Sequence, residues 1–339
     1  MNITVIGAGA WGTALAINLS ANHRVVLYGN EADVIEEMYA TRCNQRYLPE
    51  ATLPSALELN KDFAAAMADA DLAIIAVPVS SLRSVLKQLA QWLEQPAGVI
   101  RPGFGVVWLC KGFEAGTSKL AHQVAAEELF DGVPCGVLSG PSFALEVASN
   151  LPAALTLASA DENFARSTAK ALHHARLRIY ASSDVVGVEV GGAVKNVMAI
   201  ATGISDGLGL GQNARAALLT RGLAEIARLG LKLGGRQETL FGLSGAGDLI
   251  LTCTGDLSRN RQVGLMLAQQ HDLPEILRRL GHVAEGVYTA REVHQLAQNL
   301  GVAMPICEAV YRILYEHVPA ADMVAELLSR APNVEFNSQ

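Results

Sequence analysis

The chain begins with a short apolar run, Ile3 to Ile6, that leads directly into Gly7-Ala-Gly9-Ala-Trp11-Gly12 and then into an alanine-rich helical pattern. This arrangement restricts the fold more than any other feature. A strand that must enter a helix through a tight turn needs a first glycine for the turn and a third for close helix–strand packing. The second lets the backbone approach a pyrophosphate at the helix end. The motif therefore predicts a βαβ frame and a dinucleotide site built by Gly7, Gly9 and Gly12.

The next β-run ends at Leu27-Tyr28-Gly29-Asn30-Glu31. An NAD-specific site places an acidic residue about 20 positions after the glycines, on the ribose hydroxyls. Glu31 comes late and reads as an ordinary first-turn helix residue favoured by the helix dipole. Asn30 suits either a hydroxyl or a 2′-phosphate, which leaves NAD and NADP both open.

Further β-rich runs follow at Asp71 to Val77, Gly105 to Cys110, Pro134 to Leu138, Ala153 to Ala158 and Leu177 to Tyr180, alternating with helical patterns. Several are apolar on both faces, the pattern of parallel strands covered by helices on each side. After Asp184 the pattern becomes helix after helix: 184–204, 213–233, 258–270, 273–280, 285–300, 305–316 and 320–329. The expected architecture is α/β, with a Rossmann-like doubly wound sheet over residues 1–183, an all-helical domain over 184–331 and a polar tail over 332–339. A length of 339 residues, half of them hydrophobic, suits two cores rather than one.

Composition narrows the partners. With 26 basic residues against 33 acidic and a net charge of −7, nothing favours nucleic-acid binding. Cys43, Cys110, Cys135, Cys253 and Cys307 are scattered singly, without metal-ligand spacing, and read as core residues of a reducing compartment. The segment before Arg24 has no charged side chain, yet it lacks a basic leader and is broken by glycines, so it reads as strand, turn and helix rather than a signal or span. A cytoplasmic protein without membrane insertion or metal is the expectation. Oligomeric state stays open, with a homodimer through the helical half as the candidate.

Lys195 lies in a largely apolar helical stretch between Asp184 and Asp206. A desolvated ammonium costs several kcal/mol unless it is paired or used. Snorkelling to solvent or a carboxylate partner would explain it without function. Four other polar clusters sit at element ends. Lys111 follows Val106 to Cys110 at the carboxyl edge of a strand, where ligands of open α/β sheets bind. Gly140-Pro-Ser142-Phe143 opens a helix and serves as a plain cap or an anion site. Asp248 ends the glycine-framed Gly245-Ala-Gly247. Ser258-Arg259-Asn260-Arg261 joins a cap hydroxyl, free backbone donors and guanidinium charge, which suits a phosphate or a solvated helix start.

Taken in order, Gly7-Ala-Gly-Ala-Trp-Gly12, Cys110-Lys-Gly112, Ser139-Gly-Pro-Ser-Phe143, Gly191-Gly-Ala-Val-Lys-Asn196, Gly245-Ala-Gly-Asp248, Leu251-Thr-Cys-Thr and Ser258-Arg-Asn260 resemble the bacterial NAD(P)-dependent sn-glycerol-3-phosphate dehydrogenases. The match runs through nearly the whole chain. It implies the two-domain plan shared with 6-phosphogluconate dehydrogenases, NAD or NADP as hydride carrier, and reversible reduction of dihydroxyacetone phosphate to sn-glycerol 3-phosphate, a glycerophospholipid precursor. By this resemblance Lys195 is the proton acceptor, and Lys111, Gly140, Ser142, Asp248, Ser258, Arg259 and Asn260 take substrate. Ala10, Trp11, Asn30, Lys111, Ala144, Arg259, Val283 and Glu285 match cofactor positions. Ala10 stands where relatives often carry Ser, and Asn30 where they carry a basic or His side chain; both departures weaken a strong NADP preference. Two other readings compete: a dehydrogenase of the same plan acting on a hydroxy or sugar acid, and a non-catalytic dinucleotide sensor. The sensor leaves Lys111, Lys195, Asp248 and Arg259 without a common purpose.

Overall fold

The computed structural model describes residues 1–95, 103–281 and 284–329. Val283 and the tail from Pro332 lie outside them. The first half alternates as expected: β1 (Asn2–Ile6), α1 (Ala10–Leu19), β2 (Arg24–Tyr28), α2 (Ala32–Thr41), β3 (Cys43–Asn44), β4 (Leu48–Thr52), β5 (Glu58–Asn60), α3 (Phe63–Met67), β6 (Leu72–Ile75), α4 (Val79–Leu93), β7 (Gly105–Trp108), α5 (Ala121–Glu128), β8 (Cys135–Ser139), α6 (Ala144–Ala148), β9 (Ala153–Ala158), α7 (Glu162–Leu172) and β10 (Leu177–Ser182). The main sheet runs β10-β9-β8-β7-β6-β1-β2-β5. Its central strands are buried on both faces, by Ile3, Val5, Ile74 and Val107 on one side and Ile6, Ala73, Ile75 and Val106 on the other. Each face is thus sealed by its own helices, which is why these strands read as continuous apolar runs.

Chain order reverses between β1, whose successors lie toward β5, and β6, whose successors lie toward β10. Such a switch point opens a crevice at the strands' carboxyl ends. Gly7 sits there: a Cβ on it would lie 2.5 Å from the Ala76 carbonyl oxygen, just past β6.

Three features depart from the sequence reading. The edge strand β5, parallel to β2, and the antiparallel hairpin β3–β4 were not foreseen. Both are short, and their apolar alternation is too brief to register. The sheet is also not wholly parallel, since β9 runs antiparallel to β8 while β10 is parallel to β9. The β8–β9 connection contains only the five-residue α6, so the chain folds back at the same edge instead of crossing over.

That reversal sets where the helical half begins. β10 ends at the sheet edge opposite the crevice, and the 23-residue α8 (Val185–Gly207) starts there. At about 1.5 Å per residue it spans about 35 Å. It climbs past Trp108, whose indole N–H donates to Glu189 at 2.8 Å, and reaches the crevice level at Gly192, beside Ser139 and Lys111. By length and composition this helix resembles a membrane span, but it is buried inside the protein.

Around α8 pack α9 (Gly211–Lys232), α10 (Gln237–Leu240), a single π turn (Leu243–Gly247), α11 (Asp248–Thr254), α12 (Arg259–Ala268), α13 (Leu273–Leu280), α14 (Glu285–Leu300), α15 (Pro305–Tyr315) and α16 (Ala320–Leu328). No strand follows Ser182 among the described residues. Glycines set the contacts of α8. A Cβ on Gly191 would lie 2.6 Å from the Ser244 carbonyl oxygen, and Cβ atoms on Gly203 and Gly264 would lie 2.1 Å from the carbonyl oxygens of Arg261 and Ile200. The backbones of α8, the π turn and α12 therefore touch directly.

Gly203→Ala should gain about 1 kcal/mol of helix propensity and lose more through overpacking, for a net destabilisation of about 2 kcal/mol. Thermal unfolding followed by circular dichroism checks this, and an unchanged or raised midpoint would contradict a backbone-to-backbone contact.

Candidate active site

The glycine turn meets the requirements of a pyrophosphate cradle. Gly7 has φ of +119°, open to glycine and strained for other residues. A Cβ on Gly12 would lie 2.0 Å from the Gly7 carbonyl oxygen, whereas one on Gly9 would meet nothing within 4 Å. Gly9 is the N-cap of α1, with no side chain capping the helix and no acidic residue in its first turn. The first-turn N–H groups, at the positive end of the helix, are thus uncapped beside a glycine with open space around it, as a dinucleotide phosphate requires. Ala10 and Trp11 open that helix, and Asn30 lies exposed just past β2.

At the same edge of the sheet, three side chains from separate elements converge. Lys111 leaves the end of β7, Lys195 comes from the middle of α8, and Asp248 begins α11. The Lys111 ammonium donates to Asp248 Oδ2 at 2.6 Å and to the Gly140 carbonyl at 3.1 Å. The Lys195 ammonium donates to Asp248 Oδ1 at 2.5 Å and to the Thr252 hydroxyl at 2.8 Å. Asp248 is 1% exposed and Lys195 6%, so both are held out of water. One carboxylate shared by two ammonium groups leaves a local charge of about +1.

Of the three N–H bonds of Lys195, two are used in this way, and the third has no protein acceptor among the described residues. Burial pulls the Lys195 ammonium down to about 8; Asp248 opposes the fall and Lys111 reinforces it. Proton transfer near neutral pH is thereby open to this residue, which an ordinary lysine of pKa about 10.4 would not offer.

Other predicted residues gather nearby. The Ser142 hydroxyl donates to the Gly140 carbonyl at 2.9 Å, and Ala144 begins α6. Ser258 caps α12 by accepting from the Arg261 N–H, leaving the N–H groups of Arg259 and Asn260 at the helix end and the Arg259 side chain exposed. Asn260 differs from the simple phosphate ligand expected: its Oδ1 accepts from Gly286 N–H at 3.0 Å and its amide donates to Asn196 Oδ1 at 3.0 Å. Its side chain ties α12 to α8 and α14, and its backbone N–H belongs to the first turn of α12. Glu285 opens α14. Burial raises its carboxyl above the usual range, while Arg259, Lys111, Lys195 and the Val79 N–H draw it back.

Thr252 was not foreseen as a site residue, although it lies four positions after Asp248 and so on the same helix face. Its hydroxyl donates to the Asp248 carbonyl at 2.6 Å and accepts from Lys195. Two further carboxylates of the helical half, Glu189 and Glu292, also hold the sheet half. Glu189 accepts from Trp108 and the His122 N–H, and Glu292 from the Gly116 N–H at 3.1 Å and the Ser118 hydroxyl at 2.7 Å. Nothing in the sequence marked their long-range partners.

Comparison with known proteins bears on the chain as a whole. Residues 2–165 match the family model for the NAD-dependent glycerol-3-phosphate dehydrogenase N-terminus, and residues 184–325 that for its C-terminus. The chain is 57% identical to the glycerol-3-phosphate dehydrogenase [NAD(P)+] of Dechloromonas aromatica over 336 residues, covering 99% of this chain and 100% of the relative. It is 58% identical to that of Thiobacillus denitrificans over the same length, with the same coverage. The crystal structure of glycerol-3-phosphate dehydrogenase from Coxiella burnetii superposes with a TM-score of 0.90 at 44% identity, covering 97% of this chain and 99% of that one. D-mandelate dehydrogenase, at 15% identity and a TM-score of 0.60, shares the fold alone.

The charge arrangement makes a direct prediction. The ε-amino group of Lys195 should titrate near pH 8. In Asp248→Asn, loss of the opposing carboxylate should move that midpoint down by roughly one unit or more. Amine-selective labelling of Lys195 against pH, read by mass spectrometry, checks both; a midpoint that stays put or rises would separate Asp248 from the ammonium.

Proposed function

Because the chain belongs to the NAD-dependent glycerol-3-phosphate dehydrogenase family, we propose that it reduces dihydroxyacetone phosphate to sn-glycerol 3-phosphate, and the reverse, at the Lys111–Asp248–Lys195 cluster. The enzyme is an NAD(P)-dependent oxidoreductase. Residues 1–183 are the dinucleotide-binding unit and 184–331 the helical substrate unit, with the cluster at their seam. One observation carries the assignment of the site: the buried Asp248 holds two ammonium groups beside the crevice while one Lys195 N–H has no protein acceptor among the described residues.

The dinucleotide, when bound, supplies the hydride for reduction and takes it back in oxidation. Gly7, Gly9 and Gly12, with the open end of α1, would hold its pyrophosphate, and Asn30, Ala144, Arg259 and Glu285 would line the rest of the dinucleotide. The start of α12 holds the substrate phosphate through the Arg259 guanidinium and the N–H groups of Arg259 and Asn260. Ser258 and the Asn260 side chain keep that helix end in position, and Gly140 and Ser142 border the other side. With the phosphate anchored, the carbonyl oxygen comes to Lys195.

As the carbonyl carbon accepts hydride, its oxygen gains negative charge. Lys195 donates its free N–H proton to that oxygen and is left as the amine; Lys111 stabilises the charge electrostatically. In the reverse direction the Lys195 amine takes the hydroxyl proton. Asp248 and Thr252 fix the rotamer of Lys195, so little reorganisation accompanies transfer. The product is a precursor of glycerophospholipids. Five free cysteines accord with a cytoplasmic location, and exposed Leu210, Leu231, Phe241 and Ile250 of the helical half are apolar positions available to a second copy.

Lys195→Met should cut turnover with dihydroxyacetone phosphate by at least about 100-fold while dinucleotide binding survives; turnover above a few per cent of the unmodified enzyme would remove Lys195 from proton transfer. Arg259→Ala should raise the apparent KM for the phosphorylated substrate about 10- to 100-fold, the worth of one charged hydrogen bond. Steady-state kinetics reads both, and an unchanged KM would move the phosphate elsewhere.

A further inference from the structure

Asn44 is fully buried. Its Nδ2 donates to the Ala8 carbonyl and to the Thr13 hydroxyl, each at 2.8 Å, and its Oδ1 accepts the Tyr47 N–H at 3.1 Å. The β3–β4 hairpin is thereby pinned onto the glycine turn, with Arg46 and Tyr47 at its tip. Gly29, just past β2, also packs there; a Cβ on it would lie 3.1 Å from the Ala8 Cβ.

The pinned tip meets the start of α2. Arg46 Nη1 donates to Glu31 Oε1 and Arg46 Nη2 to Asp33 Oδ2, both at 2.9 Å, and the Tyr47 hydroxyl donates to Glu31 Oε2 at 2.8 Å. Glu31 is thus more than a first-turn helix residue. It is the N-cap position of α2, and its carboxylate faces away from its own helix into this cluster. Although it comes late in the sequence for the ribose position, Glu31 lies just past the end of the second strand, next to where a doubly wound sheet holds the adenosine ribose.

We propose that the Glu31–Asp33–Arg46 cluster selects the dinucleotide without a 2′-phosphate, NADH over NADPH; this rests on the dinucleotide-binding role of the glycine turn. Two carboxylates around one guanidinium leave a net charge of about −1 where the 2′-substituent lies. Each Glu31 oxygen accepts one hydrogen bond from the protein and keeps a lone pair for a ribose hydroxyl. A 2′-phosphate, carrying about −1.5 to −2, would have to displace both carboxylates from Arg46 to be bound by it. The cluster is partly exposed, with side chains 42% accessible at Glu31 and 43% at Arg46, so water and salt moderate the effect. The expected discrimination is tens-fold rather than thousands-fold.

The test is calorimetric titration of the intact protein with NADH and with NADPH, in low and high salt. The unmodified protein should bind NADH at least about 10-fold more tightly, less so in high salt. Glu31→Gln with Asp33→Asn frees Arg46 and should shrink the ratio by about 10-fold, mainly by tightening NADPH. Adding Arg46→Met to that variant should abolish the gain. NADPH binding as tightly as NADH to the unmodified protein overturns the proposal. So does a ratio that stays within about two-fold in the double variant with an unchanged melting temperature. Failure of the catalytic reading would look different: the binding ratio would stand while neither dinucleotide was oxidised with dihydroxyacetone phosphate.

Discussion

The Asp248 carboxylate, shared by the ammonium groups of Lys111 and Lys195, is the contact on which the rest of this structure depends. Each of its oxygens holds one lysine, at 2.6 Å and 2.5 Å. Removing one partner from such a buried arrangement costs about 3–5 kcal/mol, because a charge is stranded without solvent. The two lysines come from different halves of the chain, so the same ionic triad that tunes the chemistry also joins the sheet half to the helical half. Burial and the second lysine push Lys195 toward the amine; the carboxylate restrains the shift to about 8. A proton can then move in either direction near neutral pH.

Bringing these groups together requires α8 to be a rigid spine. Its N-terminus starts at the far edge of the sheet because β9 and β10 reverse direction, and its length carries Lys195 to the crevice. Gly191 admits the π turn that presents Asp248, and Gly203 against Gly264 admits α12, whose first residues are the proposed phosphate site. Glycines in a helix sacrifice about 1 kcal/mol each relative to alanine; here they permit backbones to meet, which no side-chain contact could do as closely. Glu189 and Glu292 extend the same logic along the seam, each accepting hydrogen bonds from groups of the sheet half.

Much of this was legible in the chain. Strand-then-helix alternation to about residue 183, followed by helices alone, was read from apolar patterns that depend only on nearest neighbours along the backbone. Lys111, Lys195, Asp248 and the Ser258–Asn260 helix end stood out because charged or capping residues at element ends have few structural reasons to be there. Thr252 carries no such mark, because a hydroxyl in an apolar helix is common and gains meaning only from the lysine beside it. Asn260 was read as a ligand, yet most of its polar capacity is used within the protein by Asn196 and Gly286, partners that lie far away in sequence. Glu31 looked ordinary until the hairpin from Cys43 to Thr52 folded over it.

Local order, then, was the sequence's own contribution: the glycine turn, the element types, the division into a sheet half and a helical half, and the residue types able to move a proton and hold a phosphate. Tertiary structure alone decided which charges share a carboxylate, in which direction the last two strands run, and what surrounds the second strand's end. The physical reason is range. Backbone geometry and apolar periodicity act over a few residues, whereas the Lys195–Asp248 and Arg46–Glu31 pairs are set by packing between segments that meet only in the folded chain. A buried charge takes its energy, and so its chemistry, from those partners.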